Sequence, residues 1–368
     1  MNKRKLFYIF SLLIALFSIT CKENEGEAIK PDKAKIVSKG LVDGFAAGLT
    51  YSDGNLVYNE TSAAVFYNQK MILGSDKTIP NHSSVFRVSC KTTLLSNDIE
   101  YLDNQEFMNI RKIEDFTTLP ESKFVVATSG FDRVGEDASL DAYNSLLCWK
   151  MGSENKVQLV CPTTRNNVTS SVSLREKIAK VLKTTEFPEG VTYFKIEGIS
   201  AIPENKLLFG IREMGKDFSN FSYAISLVSV SYSLRGDSLF LGEDFSLFYE
   251  FSPNSYTNLN LPLGLSSIEY DSFNKRLLVL TSFELANENT GAYLWTISLE
   301  DLKAKKSLQL VTLSDGNPLK FNHKTEGLAI IDRETIFLIA DDDRVIDKDF
   351  DGIIRKPHLA AYYFVKFE

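Results

Sequence analysis

Histidine is scarce in this chain: His82, His323 and His358 are the only three in 368 residues, and no G-x-S-x-G occurs. Nucleophilic catalysis of the Ser–His kind therefore has little to draw on. His323, in the run Phe321-Asn322-His323-Lys324-Thr325-Glu326-Gly327, reads as a hydrogen-bonded surface residue close to a strand end. Cysteine is equally sparse, four residues with no C-x-x-C, which excludes the usual metal-ribbon and redox motifs. Cys148 and Cys161 are suited to one disulfide in an oxidising compartment, leaving Cys90 free; three buried thiols are the alternative. Beyond Lys3-Arg4-Lys5 no extended basic cluster exists, and the formal net charge is −7. Nucleic acid and anionic membrane surfaces are poor partners for such a chain. Helical periodicity is also rare. A single stretch, 173–183, carries it: Leu174, Ile178, Val181 and Leu182 share one face, with Ser173 as N-cap and Glu176 completing a capping box.

What is present begins with an address. Asn2-Lys3-Arg4-Lys5 is a basic n-region and Leu6 to Ile19 an apolar h-region, too short and wrongly flanked for a membrane span. Ser18-Ile19-Thr20-Cys21 resembles a relaxed bacterial lipobox, which predicts a signal peptide over 1–20 and lipidation of Cys21. The alternative is an ordinary secretory signal with an incidental Cys. Loss of the three leader cations takes the formal charge from −7 to −10. Lys22-Glu23-Asn24-Glu25-Gly26-Glu27 resembles the surface-export signal of Bacteroidota lipoproteins, or serves as part of a solvated tether over 21–33. The expected location is the outer membrane, anchored through Cys21, with either side as the facing side.

From Lys33 onward roughly twenty runs rich in Val, Ile, Leu, Phe and Tyr are bounded by Gly, Asn, Asp and Pro, the pattern of an all-β chain. Several repeat one unit, a strand, a turn and a second apolar strand. Ile196-Glu197-Gly198 opens one copy, Ile113-Glu114 a second, Ile268-Glu269 a third and Thr325-Glu326-Gly327 a fourth. A degraded copy begins at Ala47. Spacings of about 57 to 83 residues suit four-stranded blades with variable loops. The reading is a β-propeller over 34–368 with five blades (six as the alternative). The C-terminal run Ala360 to Val365 and the N-terminal run Ala34 to Leu41 supply its last two strands and close the ring.

If each copy is an inner hairpin, antiparallel pairing sets the start of its first strand beside the end of its second. Glu114 then falls near Arg133, Glu197 near Arg212, Glu269 near Glu284, Glu326 near Asp341 and Arg344, and Ala47 near Glu60. These groups would meet as a ring of carboxylates with two or three arginines at one mouth of the axial channel. Crowded carboxylates share protons, pair with cations or hold a metal. Alternatively each Glu fixes blade spacing, by capping backbone N–H groups or pairing with its own Arg. A second acidic motif, Asp347-Lys348-Asp349-Phe350-Asp351-Gly352, places carboxylates at alternate positions before a Gly, as calcium loops do. It carries His358 at the twelfth position and Arg355 at the ninth, so a solvated acidic loop is the alternative. Asn81-His82-Ser83-Ser84 and Asn167-Val168-Thr169 read as loops.

The order Lys112-Ile113-Glu114-Asp115, Ser129-Gly130-Phe131-Asp132-Arg133, Leu174-Arg175, Ile196-Glu197-Gly198, Gly210-Ile211-Arg212-Glu213 and Glu326-Gly327-Leu328 with Asp341 to Arg344 resembles bacterial domain-of-unknown-function family 3616. It spans about Val85 to Arg344. Asp115 and Tyr270 stand where that family's pattern has glycines, and Phe131-Asp132 interrupts its Ser/His-rich stretch. The repeated Glu-Gly strands are more distantly similar to phytase-like and lactonase-like propellers. The close resemblance implies no known activity. The expectation is a cell-envelope propeller that binds a small molecule or protein. The alternative is a divalent-metal hydrolase in which Glu197, Glu269 and Glu326 hold the metal while Arg133, Arg212 and Arg344 orient an anionic group.

Overall fold

The computed structural model describes residues 32–133, 135–252, 259–285, 289–343, 349–350 and 352–368. Its strands form five antiparallel four-layered sheets arranged as the blades of a propeller. Blade 1 runs outward through Thr61–Tyr67, Lys70–Ser75 and Val85–Lys91 to two short outer pieces, Leu94–Leu95 and Glu100–Tyr101. Blade 2 is Ile113–Thr118, Phe124–Ser129, Leu146–Lys150 and Val157–Leu159. Blade 3 has the longest strands, Tyr193–Ile202, Lys206–Asp217 and Asn220–Arg235, edged by Ser238–Leu241 and Ser246–Glu250. Blade 4 is Gly264–Asp271, Arg276–Leu285 and Asn289–Ser298, edged by Gln309–Leu310 and Lys320–Phe321.

Blade 5 takes Thr325–Ile330, Thr335–Ala340 and Leu359–Phe367 from the C-terminal end and Ala34–Asp43 from the N-terminal end. The ring is thus closed by both ends of the described chain, as the two terminal runs predict. Asp32 and Lys33 are already docked. Asp32 pairs with Arg276 at 2.8 Å and accepts from Thr312 N at 3.0 Å, while Glu368 N donates to Lys33 O at 2.9 Å.

The innermost strands of the five blades pack against one another in ring order. One apolar cluster fills each of the five interfaces between blades. This explains why the strands read as unbroken apolar runs. In Arg276–Leu285, Leu277 and Val279 face blade 3 while Leu278 and Leu280 face blade 5, so both faces are core. Pro203, Glu204 and Asn205 form the loop between the paired Ile202 and Lys206, with Glu204 at φ 69° and Asn205 at φ 53°, left-handed conformations that let the chain reverse tightly.

Several expectations need correction. The copy at Ala47 is no blade hairpin; it is a loop with one bridge, Thr50 to Leu56, and the inner hairpin of blade 1 starts at Thr61. The expected helix is shorter, Leu174–Ala179, and Ser173 makes no side-chain cap because its own backbone is already helical (φ −61°, ψ −20°). Two more short helices, Gln105–Asn109 and Leu299–Lys303, show no helical period in the sequence because five residues make little more than one turn. Residues 163–165 and 168–170 form a small hairpin where a loop is expected. Cys90, Cys148 and Cys161 are free thiols.

Candidate functional site

Each inner strand slips register by one residue near its start. The extra residue of each bulge is Ser62, Glu114, Glu197, Ser266 or Glu326, all buried. A β-bulge leaves one residue unpaired and re-aims its side chain. Here the five bulges make the mouth of the propeller axis. Glu197 and Glu326 are close enough to disfavour each other's charge, as are Glu114 and Glu197.

Two residues before the bulge, three blades carry a lysine. Lys112 reaches Asp132 at 2.5 Å and Glu114 at 3.6 Å. Lys195 pairs closely with Glu197 and lies 3.5 Å from Glu114. Lys324 meets Glu326 at 3.1 Å, Asp343 at 2.9 Å and Glu284 at 3.2 Å. Blade 1 reverses the order: Glu60 stands at the lysine position, paired closely with Lys77, which also holds Asp76 at 2.8 Å. In blade 4 the position is Gly264, where a Cβ would lie 2.9 Å from Cγ of Arg212 and 2.8 Å from Cδ1 of Tyr223. The missing side chain leaves room for Arg212 of blade 3 to reach across. That guanidinium donates to Ser282 Oγ at 2.8 Å, Ser266 Oγ at 3.1 Å, Leu265 O at 3.2 Å and Glu284 at 3.1 Å, and lies 3.4 Å from Glu197.

The electrostatics follow from burial set against these partners. Burial pushes Glu114 up to about 8 and Glu326 up to about 7, with nearby lysines only partly opposing it. Burial also opposes ionisation of Glu197, but Arg212 and Lys195 outweigh it and hold that carboxyl below its ordinary value. Glu60 is pushed up to about 7 by burial and by Asp76. Burial and the neighbouring Asp343 hold Asp341 well above the usual carboxylate range. Asp341 accepts from Ser62 Oγ at 3.3 Å and from Asp343 N at 2.7 Å. Oxygens of Glu60, Asp341 and Asp343 all lie within 4.8 Å of one another, a spacing that suits a metal ion.

The expected ring is therefore partly assembled. Glu114, Glu197, Glu326, Arg212 and Asp341 come together. Glu269 does not: it lies three residues beyond the bulge Ser266, opposite Leu278, and accepts from Thr118 Oγ1 at 3.5 Å. Blade 4 is offset by three residues from the place that Ile268-Glu269 predicts, and Ser266 holds the Glu197-like position. Glu284 instead meets Arg212 and Lys324. Arg133 is exposed and lies 4.8 Å over the Tyr143 ring, away from the mouth cluster. Arg344, Asp347, Asp351 and Cys21 lie outside the described residues, as does the side chain of Asp349. Gly352, at φ 81°, turns the hairpin joining Asp349–Phe350 to Ile353–Ile354. Arg355 is a buried anchor that donates to Asp343 O at 2.8 Å and Leu359 O at 3.1 Å.

Other groups went unnoticed in the sequence. The lysines are the main omission, although Lys-x-Glu recurs visibly at Lys112, Lys195 and Lys324. Asp115 is another. Its Oδ2 accepts from Ile199 N at 3.0 Å, Ser267 Oγ at 3.0 Å and Ile268 N at 3.4 Å, tying blade 2 to blades 3 and 4 below the mouth. His323 is buried rather than at the surface, paired closely with Asp342 and edge-on to Phe350 at 5.4 Å. Beside the mouth, Asp132, Arg133, Arg175, Tyr193, Lys216 and Phe218 contribute to the wall of a cavity of about 440 Å³.

No family model matches the chain, and no curated protein matches it. Solved structures of similar shape include the PQQ-bound aldose sugar dehydrogenase of Streptomyces coelicolor, at 10% identity over 92% of this chain and 100% of that one, with TM-score 0.43. The catalytic domain of the Coprinopsis cinerea GH62 α-L-arabinofuranosidase aligns at 10% identity over 91% and 97%, with TM-score 0.43. The exo-β-1,3-galactanase 1,3Gal43A of Clostridium thermocellum aligns at 10% over 88% and 62%, with TM-score 0.45. Likeness at this level carries no reaction across.

Proposed function

We infer that this chain is a cell-envelope lipoprotein of the outer membrane, anchored through Cys21, whose propeller binds a small polar ligand on its mouth face without chemical change. Membership of domain-of-unknown-function family 3616 belongs to the same reading. The observation that carries the non-catalytic reading is the pairing of the axial carboxylates with the chain's own cations. Glu197 has Lys195 and Arg212, Glu326 has Lys324, and Glu114 lies between Lys112 and Lys195. A device repeated blade by blade suits the fixing of blade spacing, whereas a catalytic group is needed once. Of the hydrolase set, Glu269 stands apart from Glu197 and Glu326, so that trio has no common focus.

A second reading, a divalent-metal hydrolase, draws support from the spacing of Glu60, Asp341 and Asp343. Three carboxylates suit a hard cation such as calcium, which would polarise a bound oxygen of a phosphoester or lactone. Lys77 and Lys324, however, already neutralise Glu60 and Asp343. Two assays test the proposal, the first its location and the second its chemistry. Cell fractionation should find the wild type in the outer membrane and Cys21→Ala in the soluble fraction. The full chain purified in detergent should turn over neither p-nitrophenyl phosphate nor a simple lactone, with or without calcium. Calcium-dependent turnover abolished by Asp341→Asn would replace the first reading with the second.

A further inference from the structure

Two side chains in the wall of the cavity beside the mouth, Arg175 and Asp132, each keep a buried polar atom that the described residues leave unused. Arg175 is 8% exposed, with its guanidinium 4.5 Å over the Phe194 ring. Its Nη2 donates to Thr192 O at 3.4 Å, but Nη1 is buried with no hydrogen-bond partner among the described residues. Asp132 shows the complementary defect. Its Oδ2 is taken by Lys112 at 2.5 Å, while Oδ1 is buried and has no hydrogen-bond partner among the described residues. One atom can only donate and the other can only accept. Leaving such groups unmatched is costly, and native folds rarely do so unless something else satisfies them.

The rest of the wall narrows what that could be. Arg133, Arg175 and Lys216 face Asp132 and Asp217, so cations are in excess locally within an acidic protein. Asp132 is further offset by Lys112. Phe218, 79% exposed at the tip of the blade 3 hairpin, offers an apolar platform at the rim. A volume of about 440 Å³ falls within the range of small-molecule pockets.

We propose that this cavity binds a hydroxylated carboxylate of sugar-acid size. Its carboxylate pairs with Arg175 and Arg133, a hydroxyl donates to Asp132 Oδ1, and the ring or chain lies on Phe218. This rests on the ligand-binding reading above and names its ligand class. A neutral sugar would leave the guanidinium charge unanswered. A phosphate dianion keeps one O–H but brings two negative charges against Asp132, which repels it. A hydroxy-carboxylate meets both atoms at once.

The test is a ligand-observed NMR titration of the detergent-purified full chain with D-glucuronate, D-galacturonate and D-gluconate, against D-glucose, acetate and inorganic phosphate. At least one sugar acid should bind about tenfold tighter than all three controls, a difference of about 1.4 kcal/mol. Arg175→Met should abolish that binding and, having lost a buried charge with an unmatched donor, should melt higher than wild type without ligand. Asp132→Asn should weaken binding, and Phe218→Ala, exposed and neutral to folding, should weaken it several-fold. No preference for any sugar acid over the controls overturns the proposal, as does undiminished binding in Phe218→Ala together with Arg175→Met or Asp132→Asn. Chemical conversion of a bound probe in the same spectra would leave the site standing and overturn the non-catalytic reading instead.

Discussion

Burial makes Glu269 an acid that keeps its proton near neutrality, pushed up to about 8 from an ordinary 4.5. The folded protein then holds this proton more tightly than the unfolded chain does. The contribution to stability is complete below about pH 4.5 and is lost as pH rises to about 8. Glu269→Gln mimics the protonated acid and removes that loss. Urea unfolding should show the variant level with wild type at pH 5 and more stable at pH 9, by something on the order of 1–4 kcal/mol. Equal stability at both values would mean that Glu269 ionises freely in the fold. Gly264 gives a second consequence at this scale. A methyl group there meets Arg212 Cγ at 2.9 Å, so Gly264→Ala should cost roughly 1–3 kcal/mol in the same assay. A wild-type midpoint would mean that Arg212 does not depend on the gap. Neither residue's role was legible in the sequence. Glu269 looks like a copy of Glu197 until the register is known, and Gly264 matters only because an arginine from another blade lies over it.

Strand Ala34–Asp43 is the element on which closure depends. Only Ala34 and Val42 in it are buried apolar side chains, so its contribution is chiefly the backbone ladder to Leu359–Phe367. Deleting 34–43 bares that ladder, and an unpaired edge templates association with other chains. The deletion variant should lose its cooperative melt and scatter light at concentrations where wild type stays clear; an unchanged melt would contradict this role. Closure was legible because both terminal runs are apolar and the fifth motif leaves too few residues for a full blade. The blade count was legible through four Glu-bearing copies and roughly twenty strand-like runs, although the fifth copy was placed at Ala47, ahead of the hairpin that starts at Thr61. Blade 1 was misplaced because its bulge residue is Ser62 and its cation comes from Lys77, after the second strand. Ser266 hid the register of blade 4 in the same way. A search keyed to Lys-x-Glu finds blades 2, 3 and 5 and is silent on the two blades that carry the charge in other positions.

Across the whole molecule, a chain of net charge −7 concentrates carboxylates on its axis and answers them there with Lys77, Lys112, Lys195, Lys324 and Arg212. Such buried pairs are screened little by salt and, once formed, are expensive to break singly, about 3–5 kcal/mol when one partner is lost. Arg212→Met would leave Glu197 to Lys195 and Glu284 to Lys324 alone and strip Ser266 and Ser282 of their donor, and a loss of that order in unfolding free energy is the expected result. The strand chemistry of the axis was readable in outline, as converging carboxylates. Their neutralisation was not, because it depends on lysines two residues upstream and on which neighbour each one reaches. The claim that these charges serve the fold and leave the chemistry of binding to the side cavity is tested most directly by calorimetric titration of the full chain with calcium and with manganese. No saturable one-to-one heat is expected. A stoichiometric site that disappears in Asp341→Asn would contradict it and make the mouth a metal centre.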